Sequence, residues 1–149
     1  MGHSNYTLLS DDIAVKEVVS SPVSVLSGLP DGGIHICIST ISVELSKELE
    51  SLHAGKRQVF VAAPIFGRPD AAKNRKIRIA AGGSEKGYQK VEKILNDSSQ
   101  RVYYIGAPAY LANVVKLATN MMLAASLEAM AESFTLASVF GVDPELFTK

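Results

Sequence analysis

The stretch "GGIHICISTIS", Gly32 to Ser42, decides how the chain folds. Ile34 to Ile38 is a continuous apolar, β-branched run, the pattern of a strand covered on both faces. Such strands belong to parallel sheets between helical layers, and a helix is predicted directly after this one. In "STISVELSKELESLH", Ser39, Thr40 and Ser42 offer caps, while Val43, Leu45, Leu49 and Leu52 supply a broad apolar stripe.

Working outward, the same alternation recurs. "YTLLS" reads as a short strand ending at Ser10, and "DDIAVKEVV" as a helix opened by a capping aspartate with Ile13, Val15, Val18 and Val19 facing inward. "SSPVSVLSGLPDGG" holds Pro22, Pro30 and two adjacent glycines, so it is expected to be loop with at most one helical turn. Beyond the central unit, "RQVFVAAP" and "KIRIAAGG" read as strands separated by a loop through "IFGRPDAAKNR". "SEKGYQKVEKILND" then forms an amphipathic helix capped by Ser84, with Val91, Ile94 and Leu95 on its inner side, and "RVYYIG" is the last strand. Strands alternating with helices predict an α/β fold, a mainly parallel sheet with flanking helices.

From about Pro108 the character changes. No helix breaker occurs through Phe140, and the only charges are Lys116, Glu128 and Glu132. A continuous helix of that length runs about 45 to 50 Å, longer than a domain of this size is wide, and its apolar circumference must be covered by something. The expected covers are a further helical domain, a second copy of the chain, or both. Gly141, Asp143 and Pro144 then restart a helix where the chain stops, which suggests a truncated unit. The expected division is residues 1–107 as one domain and 108–149 as the long helix with the start of a second.

Composition bounds the function. Of 149 residues 47% are hydrophobic and 20% charged, with Lys+Arg 15 against Asp+Glu 15, the make-up of an ordinary soluble domain. A net charge of +0 gives no electrostatic footprint for nucleic acid or an anionic membrane. The lone Cys37 lies in the apolar run and reads as a small buried hydrophobe. His3, His35 and His53 are isolated in sequence, so no metal site is expected. The charge-free windows fall short of the roughly 20 apolar residues of a membrane span, and the expected location is cytoplasmic.

Three segments could carry chemistry. Asn113, Lys116 and Asn120 fall within roughly 60° of one another on the long helix, an amine flanked by carboxamides that could hold a substrate oxygen and pass a proton. The alternative is a lysine that snorkels to solvent. Ser39 and Thr40 follow a parallel strand, where ligands bind in open α/β sheets, although both could simply cap the next helix. In "AAPIFGRPDAA", Gly67 and Pro69 shape a loop, Arg68 could grip a carboxylate or phosphate, and Asp70 could cap the turn after it; a solvated turn is the competing reading. A G-x-G-x-x-G phosphate cradle is absent: neither Gly32–Gly33 nor Gly82–Gly83 has that spacing.

Taken in order, "LLSDDIAVKEVV", "GGIHICISTIS", "FVAAPIFGRPDAA", "IAAGG" and "YIGAPAYLANVVKLATNMMLAASLEAMAESFTLASVFGVDPELF" resemble the β-hydroxyacid dehydrogenase family, which includes 3-hydroxyisobutyrate and 6-phosphogluconate dehydrogenases. The resemblance implies a partial Rossmann-like, NAD(P)-binding domain truncated at both ends, followed by one long C-terminal helix. It implies hydride transfer between nicotinamide and a 3-hydroxy acid or related carbonyl, with NAD or NADP as cofactor. By the same resemblance, Lys116 is the general acid/base and Asn120 orients the substrate. Ser39 and Thr40 touch substrate and nicotinamide, Phe66, Gly67 and Arg68 line the substrate, and Leu9, Ser10 and Thr40 meet the cofactor; the helical spacing adds Asn113 to the substrate side. The chain departs from the family's D-A-P-V-S-G-G loop at Ala62, Phe66 and Arg68, and of the helix motif's glycines it keeps only Gly106, one residue out of register. Without the cradle, the chain by itself is expected to bind cofactor poorly and to show little activity. The alternative is a non-catalytic module that dimerises through the long helix, with a small acid or a partner as ligand.

Overall fold

The computed structural model describes residues 3–147. The chain divides into two units, Met1–Lys116 and Leu117–Lys149.

In the first unit, strand β1 (Ser4–Thr7) is followed by helix α1 (Asp12–Ser20), the single turn α2 (Val25–Gly28), strand β2 (Ile34–Cys37) and helix α3 (Val43–Gly55). Strands β3 (Val59–Ala62) and β4 (Ile65–Phe66), the short helix α4 (Pro69–Lys73), strand β5 (Arg78–Gly82), helix α5 (Glu85–Ser98) and strand β6 (Arg101–Gly106) complete the sheet. Helix α6 (Tyr110–Val139) starts on this unit.

The caps form where Asp, Ser and Ser were expected. Asp11 accepts from the Ala14 amide, Ser42 from Leu45 and Ser84 from Gly87, each satisfying an amide that the first turn leaves without a partner.

The sheet is mainly parallel. β1 pairs with β2 and β2 with β3 in parallel (Ser4 opposite Ile34, Ile34 opposite Val59), and β5 pairs with β6 in parallel (Arg78 opposite Arg101). The chain reverses between these blocks: β5 runs antiparallel to β3 at Ala62–Gly82 and to β4 at Phe66–Arg78. This corrects the loop expected through residues 65–75, which contains β4 and α4. A two-residue strand has no sequence period to reveal it, because its pairing is supplied by β5. Strand β1 ends at Thr7 rather than Ser10, since Leu8 lies beyond the ladder and is 64% exposed. Among the described strands β1 forms one edge, paired only with β2.

One face of the sheet packs against α1, α3 and the start of α6 through Val15, Val19, Ile41, Leu45, Leu49, Phe60, Ala80, Ala109 and Ala112. The other packs against α5 through Ile34, Ile36, Val61, Ile79, Val91 and Leu95. Full burial of a valine or leucine is worth about 1.5–3 kcal/mol, so these two layers carry the unit. Ile13, Val18 and Ile94 were expected inward but are exposed, because α1 and α5 each bury a narrower stripe than their apolar content allows.

A polar chain runs through the first layer and joins His35 and His53, which stand 18 residues apart in sequence. Gln58 Nε2 donates to the Leu29 carbonyl (2.6 Å) and the Leu26 carbonyl (3.1 Å), which leaves Gln58 Oε1 as an acceptor 2.8 Å from His53 Nδ1. His53 Nδ1 therefore carries hydrogen and its Nε2 accepts from His35 Nδ1 at 2.9 Å, so the Thr7 hydroxyl donates to His35 Nε2 at 2.9 Å. Every donor points the same way, and both rings are locked as neutral Nδ1–H tautomers. Burial, and then His53 beside it, pushes the His35 pKa down to about 3, and burial lowers that of His53. Cys37 is buried, as expected, and burial raises its thiol pKa.

In the second unit α6 continues to Val139, closed by Gly141 with φ +79, whose amide donates to Ser138 while Val142 donates to Ala137. Helix α7 (Pro144–Phe147) follows, and Phe147 meets Phe134 edge-on at 5.0 Å. Against the expectation that no window reaches the length of a membrane span, α6 is by length and composition alone long and apolar enough to cross one, charges included.

Candidate functional site

The loops after β1 and β2 meet at the carboxyl ends of the parallel strands. Ser39, fully buried, accepts the Leu9 amide at 2.7 Å, so the Ser-Thr loop is fastened to the loop after β1. Asp12 accepts the Ser42 amide at 2.9 Å, and Ser10 donates to the capping Asp11 at 2.7 Å. Thr40 stays half-buried between these anchors.

Helix α6 is pinned beside them. The Ala107–Pro108 peptide is cis, and the Ala109 amide donates to the Glu50 carboxylate at 3.1 and 3.2 Å. The Lys47 amine lies 4.7 Å from the Tyr110 ring centroid. Asn113 is fully buried, its amide nitrogen 3.4 Å from the Ile41 carbonyl that follows Ser39 and Thr40. Its Oδ1 is buried with no donor among the described residues, an arrangement that costs about 1–3 kcal/mol unless a water or ligand supplies a hydrogen. Gly82 permits this seat: a Cβ there would run into the Ala109 carbonyl and lie 3.1 Å from the Ala112 Cβ.

One turn on, Lys116 is half-buried with its amine 4.7 Å from the centroid of the Phe66 ring. Burial lowers its pKa, because the charged form loses hydration that the ring face only partly replaces. The substitution that set Phe66 apart in sequence is therefore the surface on which the lysine rests. Gly67 is exposed at φ +142 and Arg68 is exposed at the N-cap position of α4, without a side-chain cap bond; Asp70 lies inside the first turn instead of capping it. Asn120 lies in the second unit and is exposed. The structure thus brings Ser39 to Leu9 and Lys116 to Phe66. A groove of 260 Å³ lined by Asp12, Ile13, Lys16, Leu45 and Glu48 includes neither Lys116 nor Phe66.

Sequence reasoning missed Glu50 and Asp12. Each bonds a backbone amide far away in the chain, and the only sign of either was a carboxylate in a helix.

A sequence model of the NAD binding domain of 6-phosphogluconate dehydrogenase matches residues 5–106. The chain belongs to this family. Over 141 residues it is 40% identical to an uncharacterized oxidoreductase, YfjR, of Bacillus subtilis, covering 95% of this chain and 49% of that one. It is 32% identical to human mitochondrial 3-hydroxyisobutyrate dehydrogenase, covering 96% of this chain and 42% of the relative. Among solved structures, Mycobacterium tuberculosis 3-hydroxyisobutyrate dehydrogenase with L-serine superposes with a TM-score of 0.87 at 26% identity, covering 95% of this chain and 47% of that one. The chain spans about half the length of the relatives it matches. These likenesses account for the Rossmann-like sheet and for the β-hydroxyacid dehydrogenase character of the motifs.

The glycine pairs of this chain have structural duties. Gly82 is taken up by the seat of α6, and a Cβ on Gly83, at φ +144, would lie 2.9 Å from the Phe60 carbonyl. Both glycines serve backbone packing, and Gly32–Gly33 precedes β2 at its opposite end. Among the described residues these glycines do not form a G-x-G-x-x-G pyrophosphate cradle.

Proposed function

We propose that this chain is the substrate side of an NAD(P)-linked β-hydroxyacid dehydrogenase, in which Lys116 moves the proton of a hydroxyl or carbonyl oxygen. The observation that carries the reading is Lys116 itself, a half-buried amine set over Phe66 with its pKa lowered by burial. A lysine so placed passes a proton at less cost than one in water, which suits it to acid/base work. Nicotinamide supplies the hydride in such chemistry.

In this reading Ser39 and Thr40 hold the substrate end of the strand loops, with Leu9 and Ser10 on the cofactor side. Phe66, Gly67 and Arg68 form the substrate loop, Asn113 offers its Oδ1 and positions the Ser-Thr loop, and Asn120 orients the bound oxygen. The substrate is a small hydroxy acid or carbonyl compound, the cofactor is NAD or NADP, and the chain acts in the cytoplasm without nucleic acid or membrane. By itself it binds the nucleotide weakly.

The test is an NMR titration with 3-hydroxyisobutyrate. Shifts concentrated at Ser39, Thr40, Phe66–Arg68 and the Lys116 amine, and lost in Lys116→Met, are expected; shifts elsewhere, or none, refute the assignment. Calorimetry with NADPH is expected to give no micromolar binding, and a micromolar constant would overturn the weak-binding statement.

A second reading rests on the second unit, where Met121, Met122 and Phe140 are 75%, 71% and 80% exposed. An apolar helix face of this kind favours association, and a homodimer through α6 covers it. A monomer in sedimentation at micromolar concentration sinks that reading.

A further inference from the structure

The molecule as a whole is neutral, but its cations are not evenly spread. From Arg68 to Arg78 the chain carries five cations, Arg68, Lys73, Arg75, Lys76 and Arg78, against the single carboxylate Asp70. The segment ends on the first residue of β5.

There the ladder sets two arginines side by side. Arg78 is the Cα partner of Arg101 across the parallel β5–β6 pair, so their side chains leave the sheet on one face. That face is the one packed by α6: two residues further along the same strands, Ala80 lies opposite Tyr103, and Ala80 belongs to the first core layer. On its other side Arg78 is opposite Phe66, the residue beneath Lys116. Arg101 leans over the Tyr103 ring, its guanidinium carbon 5.0 Å from the centroid. Both arginines are exposed.

Like charges on directly opposed strand positions destabilise a sheet, and proteins ordinarily offset them with an acid close by. Among the described ion pairs none does so. Lys16–Glu48, Arg57–Asp31 and Lys93–Asp97 leave both arginines out, and Asp97, the carboxylate nearest Arg101 in sequence, is already held by Lys93. Two exposed arginines at paired positions of adjacent strands, neither in a described ion pair, can supply the donors that a tetrahedral or planar oxyanion accepts.

We propose that Arg78 and Arg101 form an oxyanion-binding site on the α6 side of the β5–β6 edge, taking a phosphoryl or carboxylate group. The site is independent of the proton chemistry assigned to Lys116.

The experiment is thermal unfolding of the whole chain in inorganic phosphate against chloride at matched ionic strength, repeated with malonate to separate phosphoryl from carboxylate recognition. With a dissociation constant near 1 mM, 10 mM anion raises the midpoint by about 3–6 °C. The gain is expected to vanish in both Arg78→Gln and Arg101→Gln, whose midpoints in chloride equal or exceed the parent's because a like-charge contact is gone. Lys116→Met is expected to keep the gain, so loss of the Lys116 role leaves this result standing. A gain that survives both arginine substitutions, one that follows Lys116 in their place, or no gain over chloride with either anion overturns the proposal.

Discussion

Mild acid is expected to destabilise the first unit through its buried histidines well before its carboxylates protonate. In the folded state His35 holds its pKa near 3, against 6.5 for a free histidine, because protonation would put a charge in a dry site beside His53. The lock is reinforced by hydrogen bonding: both ring acceptors are already engaged, His35 Nε2 by Thr7 and His53 Nε2 by His35. A histidine whose folded pKa is depressed binds fewer protons folded than unfolded. The stability it confers is present in full above about pH 6.5 and is lost as pH falls from 6.5 toward 3. Each unit within that window removes about 1.4 kcal/mol, so at pH 5 His35 alone removes about 2 kcal/mol of a domain stability of roughly 5–15 kcal/mol. His53 adds to the loss in the same direction. Urea unfolding followed by circular dichroism at pH 7.5 and 5.0 measures the difference, with His35→Leu/His53→Leu as the reference, whose loss over this interval should be smaller by at least about 2 kcal/mol. Equal losses in parent and double variant would refute the reasoning, as would a His35 ring resonance titrating near pH 6.5.

Other consequences rest on single contacts. Gly82→Ala drives a methyl into the Ala109 carbonyl, a backbone atom that cannot turn aside, and is expected to cost about 1–3 kcal/mol in denaturant midpoint analysis. Glu50→Ala removes the acceptor of the Ala109 amide and should cost about 1.5–3 kcal/mol, with loss of hydrogen-exchange protection at Ala109 and the first turn of α6. The Lys116 amine is expected to titrate below 10.5 by NMR and to move back up in Phe66→Ala, because burial is the cause of its shift.

Much of this architecture was legible because it is written locally. Asp11, Ser42 and Ser84 each announce a helix by placing an acceptor before an apolar run, and Ile34–Cys37 announces a covered strand by its unbroken apolar content. Lys116 was legible for the opposite reason, a charge where the local pattern called for none. The features that stayed hidden depend on residues far apart in the chain. The pairing of β4 exists only because β5 returns alongside it, and His35 meets His53 only because α3 ends over the strand that precedes it. Asn113 read as one of three polar residues on a face of the long helix, and its burial against Ile41, 72 residues away, was not visible there, since the start of α6 sinks into the sheet where Gly82 makes room.

The one-sided pairing of β1 bears on how the fold breathes. Among the described strands none lies beyond its outer peptide groups, and Tyr6, at 45%, remains partly in water. Strand β1 is fastened by one ladder to β2, by the Leu9 amide on Ser39, and by the Thr7 hydroxyl on His35. Its local opening is less opposed than that of the strands paired on both sides, and its amides should exchange with solvent ahead of those in β2 and β3. When it detaches, His35 loses the partner of its accepting nitrogen and becomes available to protons. Acid sensitivity and the fraying of this edge are then two readings of one motion, with the edge strand acting as the door through which protons reach the interior.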